Sequence, residues 1–95
     1  MNINKIKTYV GFAIKSKAIV YGLDQIKEKK VKVIFFVDSM SNSSKQSLVK
    51  VAQKNECPHF EIKTEEMLEL VNSEKIKALA ILNQDLAKAI ENNMY

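Results

Sequence analysis

The 95-residue sequence predicts an α/β protein, a three-layer α/β/α sandwich built around a four-stranded sheet. Three observations carry that expectation. Apolar spacing alternates between helical and extended periods in the order α-β-α-β-α-β-α-β-α. The segment VKVIFFVD (31–38) is apolar on both faces, as a strand covered from two sides must be. Only two glycines and one proline interrupt the chain, so connections are short and residues 1–95 form one domain.

INKIKTYVGFAIKSK places Ile3, Ile6, Val10, Ala13 and Ile14 at helical spacing, with lysines on the other face. A basic amphipathic segment of this kind also suits a membrane surface, but its apolar stripe fits packing onto a sheet. AIVYG (18–22) reads as a short strand ended by glycine, and LDQIKEKK (23–30) as a brief helix with Asp24 in its first turn. Residues 31–38 follow as the central strand. Ser43 and Gln46 stand at capping-box spacing ahead of a helix that should bury Leu48, Val51 and Ala52. CPHFEI (57–62) is a strand with Pro58 near its start, where a missing N–H costs least. Thr64 should cap EEMLELVN, with Glu65 and Glu66 at the positive end of that helix. IKALAIL (76–82) is a buried strand, and Asn83 should cap the last helix, which turns Leu86, Ala87 and Ile90 inward.

Charge divides the chain. Residues 1–54 hold eleven lysines against Asp24, Glu28 and Asp38, a balance of +8; residues 55–95 hold four lysines against eight acids, a balance of −4. One reading is a face that meets an anionic partner; the other is an unevenly solvated surface. All fifteen basic residues are lysine. Lysine binds phosphate as a point charge and lacks the planar fork with which arginine reads guanine edges. A nucleic acid bound here is therefore recognised by shape and by backbone amides.

The search for catalytic chemistry yields little. Cys57 and His59 stand two residues apart on one face of a predicted strand, too few for the four ligands of a zinc site; His59 is the one conceivable base for a Cys57 nucleophile in a small-ligand enzyme, and no other residue supports that reading over strand packing. The serines of SMSNSSKQ read as a helix start rather than a nucleophile. No Walker, Rossmann or G-x-S-x-G pattern occurs, so no enzyme, metal or cofactor is expected. Lone Cys57, the missing signal-peptide pattern and the lack of an apolar run long enough to span a bilayer suggest a cytoplasmic protein that does not use membranes. The strongest candidate is the turn at Gly22. Leu23, Asp24 and Gln25 open a helix with unpaired N–H groups, an anion-binding end. Lys15 and Lys17 precede the strand and Lys27, Lys29 and Lys30 follow it.

In element order the chain resembles the kink-turn RNA-binding ribosomal-protein family, including its small bacterial YlxQ/YbxF-like members. VGFAIKSKAIVYG, VKVIFFVDSMSNSSKQSL and IKALAILNQDLAKAI carry the resemblance, which covers nearly the whole chain. The family motif G-x-[N/E/K]-[E/Q]-x-x-K falls on GLDQIKE: Gly22 and Gln25 match, Asp24 is a polar substitute, and Glu28 stands in place of lysine. The family's small-residue loop L-G-x-A-x-G falls on LELVNS, with Glu69 and Ser73 in place of both glycines. The resemblance implies a mixed sheet and a non-enzymatic protein binding kinked or bulged RNA, an rRNA or mRNA element, in company with ribosomal or other ribonucleoprotein proteins. Gly22, Leu23, Asp24 and Gln25 would clasp the RNA, Lys15, Lys17 and Lys27 would meet flanking phosphates, and the loop with Asn72 and Ser73 would lie against an unstacked base. The alternative is a protein-interaction module on the same scaffold, without specific RNA binding.

Overall fold

A computed structural model describes residues 1–95. Helix α1 (Ile3–Lys15) starts at Asn2, whose Oδ1 accepts the Lys5 N–H at 3.3 Å. It buries Ile6, Val10 and Ala13. Ile14, expected to face inward, is 44% exposed, because it lies about 80° around the helix from Ile6. Strand β1 (Ile19–Tyr21) leads directly into α2 (Gly22–Lys27), six residues long rather than the predicted eight. Only Ile26 of α2 is buried, and the charged run that follows offers no further inward side chain to extend it. The Glu28 N–H donates to the Gln25 carbonyl and the Lys29 N–H to the Ile26 carbonyl, tightening the end.

Strand β2 (Val33–Val37) is buried at all five positions, as its sequence required. Helix α3 (Asn42–Lys54) is capped two residues earlier than predicted: Ser41, not Ser43, takes the Ser44 N–H on its Oγ at 3.2 Å. Ser41 is extended and free to cap, whereas Ser43 is already helical. Leu48 and Ala52 are buried, and Val51 is half-buried. Strand β3 (His59–Ile62) starts after Pro58, so Cys57 precedes the strand instead of lying on it. Helix α4 (Thr64–Val71) has Lys63 at its cap position, and the Glu66 carboxylate accepts the Lys63 N–H at 2.8 Å. Thr64, the predicted cap, is the first helical residue and shares a 3.0 Å hydroxyl contact with Ser39. Strand β4 (Ala78–Ile81) is wholly buried, and α5 (Gln84–Asn92) is capped as expected, with Asn83 Oδ1 accepting the Leu86 N–H at 2.9 Å. Asn83→Ala should lower stability by about 1 kcal/mol, read as a lower urea midpoint with an unchanged slope.

The sheet order is β1-β4-β2-β3. Strand β4 runs antiparallel to both β1 and β2, and β2 runs parallel to β3, so the sheet is mixed. Val33, Phe35, Val37, Ile62, Leu79 and Ile81 face α1, α4 and α5. Ile34, Phe36, Ala78 and Ala80 face α2 and α3, where the two alanines leave room for close approach of the helices. No polar or charged side chain is buried, so any binding chemistry is confined to the surface.

Strand direction divides that surface into two ends. Tyr21 pairs with Leu79, Phe36 with Ala78 and Val37 with Ile62; here β1, β2 and β3 finish, α2, α3 and α4 begin, and the loop from α4 enters β4. At the opposite end Ile19 and Val33 both pair with Ile81, the Lys32 N–H donates to the Ile81 carbonyl and the Leu82 N–H to the Ala18 carbonyl. There α1, α2 and α3 finish and α5 begins.

Candidate nucleic-acid interface

The turn from β1 into α2 depends on Gly22, whose φ of +80° lies in the left-handed region that glycine occupies without steric cost. Tyr21 holds the cap position with an extended backbone and offers no capping side chain. Its own N–H donates to Gln25 Oε1 at 3.2 Å, so Gln25 braces the turn with its oxygen and leaves its amide N–H groups pointing to no protein acceptor. The N–H groups of the first helical turn have no intrahelical acceptor. Asp24 is exposed, and Leu23 is half-buried against the α2–α3 side of the core. Burial pushes the Tyr21 hydroxyl above its ordinary range, keeping it a neutral donor at physiological pH.

Asn72 and Ser73 stand at the same end of the sheet. Asn72 closes α4 in a left-handed conformation, φ +54°, and its N–H donates to the Leu68 carbonyl at 2.7 Å. Ser73 Oγ accepts the Lys75 N–H at 3.3 Å. Ser73, Glu74, Ile76 and Lys77 form one side of a depression of about 310 Å³ whose other side is Thr64, Glu65 and Leu68 of α4. Asn72 and Ser73 therefore belong to a loop shaped by turn bonds, with Ser73 standing where the kink-turn family motif has glycine.

The lysines are distributed otherwise. Lys15 and Lys17 lie at the opposite end of β1 from Gly22, Lys17 in a left-handed turn with φ +58°. A strand crosses the sheet, so residues before and after it are carried to opposite ends, and adjacency in sequence misplaces them. Lys27 occupies the last turn of α2, about 8 Å along the axis from Gly22. Lys63, Lys75 and Lys77 flank the strand ends on the Gly22 side, set among Asp24, Asp38, Glu65, Glu66 and Glu74. Tracing strand direction through the alternating elements would have found them.

Cys57 and His59 do not form a unit. The Cys57 thiol is pushed up by burial, an effect partly offset by the nearby Lys32 ammonium, so it stays protonated near neutral pH. The His59 ring lies nearly parallel to Phe36, at 15° and 6.1 Å, in an open groove of about 510 Å³ between α3 and β3. The Lys45–Glu61 ion pair, 3.1 Å, spans that groove.

No family model and no curated protein matches the chain. Among solved structures, a protein of unknown function from Bacillus halodurans is similar, with a TM-score of 0.80. The superposition covers 93% of this chain and 94% of that one at 10% sequence identity. The two share a fold. At such identity the likeness speaks for the α/β/α architecture and its four-stranded mixed sheet alone. No helix is long and apolar enough to cross a membrane.

Proposed function

We propose that this is a non-enzymatic RNA-binding protein that takes a kinked or bulged RNA at the Gly22 end of the sheet. One observation carries the reading. Pairing of Tyr21 with Leu79 sets the Gly22–Gln25 turn and the loop that holds Asn72 and Ser73 at one end, although some fifty residues separate them in sequence. This is the pairing of segments that the resemblance to the kink-turn family implies. Helices α2, α3 and α4 all start at this end, each contributing about half a positive charge and unpaired N–H groups. A helix start presents donors to a bend or bulge, whose bases are unstacked and within reach, better than to a regular duplex groove. In this reading Gln25 and the first-turn amides hold the bend, and Lys27 meets a phosphate. Lys15 and Lys17 do not belong to the same contact. The protein works beside rRNA or an mRNA element in the cytoplasm, with ribonucleoprotein neighbours and without a cofactor.

The test is a titration of a kink-turn RNA and an unbent duplex of equal length at two salt concentrations. Tighter binding of the kink-turn RNA by tenfold or more is expected, with a salt dependence that reports the number of phosphates contacted. Equal affinity for the two RNAs would remove the specific reading. A second reading, a protein-interaction module, is favoured by the mixed charge of the Gly22 end, where Lys63, Lys75 and Lys77 stand among Asp24, Asp38, Glu65, Glu66 and Glu74. It predicts that neither RNA binds measurably better than a neutral competitor.

A further inference from the structure

The lysine distribution assigns a second surface. Strand direction brings Lys15, Lys17, Lys27, Lys29, Lys30, Lys32 and Lys54 to the end opposite the Gly22 turn, with Glu28, Glu56 and Asp85 as their only acidic neighbours along those segments. Four of these lysines surround a groove of about 460 Å³ between the ends of α2 and α3: Lys27, Lys29 and Lys30 on one side and Lys54 on the other, with Val51, Asn55 and a single acid, Glu28, completing the wall.

We propose that this groove holds the phosphate backbone of duplex RNA without reading its sequence. Helix ends explain part of the charge. Three helices finish here, each placing about half a negative charge on its last carbonyls, and one cation at each end satisfies it. Lys15, Lys27 and Lys54 stand in those last turns. Lys17, Lys29, Lys30 and Lys32 are surplus to that need. None of the seven is in a salt bridge; the ion pair of the molecule is Lys45–Glu61, elsewhere. Asn55 has its amide committed to structure, its Nδ2 donating to the Val51 carbonyl at 2.8 Å and its Oδ1 accepting the Val31 N–H at 3.2 Å. The groove thus offers mobile point charges and no fixed donor fork, the chemistry of backbone contact rather than base contact.

The same surroundings choose duplex RNA over other polyanions. Val51, half-buried, is the one apolar side chain in the wall, so nothing here anchors a lipid bilayer. No aromatic ring lines the groove, so single-stranded bases have no stacking platform. The groove is also within reach of the Gly22 turn: α2 is only about 9 Å long, so a stem leaving a bend at its start reaches Lys29 and Lys30 just past its end. The choice of RNA rests on the reading proposed above, and the test separates the two.

The full chain and its Lys29→Gln/Lys30→Gln/Lys54→Gln variant are titrated with a plain RNA duplex and with the kink-turn RNA at about 0.05 M and about 0.2 M salt. The wild type should bind both RNAs. The variant should lose roughly tenfold or more on both at the lower salt, with a log K–log salt slope shallower by about 2 to 3. Unchanged affinity and slope on both RNAs would overturn the groove while leaving the Gly22 reading standing. Loss on both RNAs with no preference for the bend would uphold the groove and remove the Gly22 reading. Wild-type binding to phosphatidylserine vesicles or to poly-glutamate, with no binding to the duplex, would overturn the proposal in favour of a membrane or an acidic protein. Thermal melting checks folding. Should the triple variant melt early, Lys29→Gln/Lys30→Gln carries the same test, since both side chains are exposed and lie outside the helices.

Discussion

Phe35→Ala should cost about 3–5 kcal/mol of stability, the largest loss from any single truncation in this chain. Phe35 is fully buried in β2, which has β4 on one side and β3 on the other. Its ring points to the face covered by α1, α4 and α5 and meets Phe60 at 5.4 Å. Removing it strips contacts from both the sheet and three helices, and the rigid strand cannot collapse into the space. A domain of this size has about 5–15 kcal/mol in total, so the variant loses about a fifth of that or more. Urea denaturation should show a lower midpoint with an unchanged slope, and the melting temperature should fall by roughly 12 °C or more. Phe60→Ala, at a half-buried position on the edge strand, should lose distinctly less. Equal losses at the two positions would mean that the central strand is not where the core is concentrated.

Gly22→Val should destabilise by about 2–3 kcal/mol, although a side chain there meets nothing. An added Cβ finds no atom within 4 Å, so crowding by neighbours is not the cause. The cost is in the backbone: φ of +80° is disfavoured for any L-residue and most for a β-branched one. Gly22→Asn tolerates the left-handed region better and should lose only about 1 kcal/mol. The two variants also separate fold from function. Under conditions where both are fully folded, Asn should preserve preference for the kink-turn RNA, whereas Val should shift the turn and abolish it. A valine variant as stable as wild type would show that the turn is not left-handed in solution.

The fold was legible because its strongest signals are local. Residues 31–38 could only be a strand covered twice, and Asn83 ahead of a 3.6-period stripe could only open a helix. Boundaries slipped where several residues offered the same chemistry: three serines competed to cap α3, and Ser41 won because it alone is extended there. At α4 the Glu66 carboxylate reached back to Lys63, which left Thr64 to pair with Ser39 across a loop. The candidate site was legible at Gly22, since a lone glycine between strand and helix signals a left-handed turn. It was not legible at Lys15 and Lys17, whose position depends on which way β1 crosses the sheet. Nor was the Lys27–Lys54 groove, because it is assembled from two helix ends that only the parallel β2–β3 crossover brings together.

The sheet order has a consequence for the order of folding. Strands β1 and β2 do not touch as neighbours; β4 lies between them and pairs with both. During synthesis, the first two strands must wait, apolar and unpaired on that edge, until residues 78–81 have left the ribosome. The sheet is then closed by insertion of a strand, not by addition at its rim, and the contacts that complete it join residues far apart in sequence, from Phe36 with Ala78 to Ile19 with Ile81. Such long closures are slow and leave early strands open to wrong partners. The segment that completes the core is thus made after the other three strands, and a chain stopped before Ala78 lacks the strand that joins its two halves.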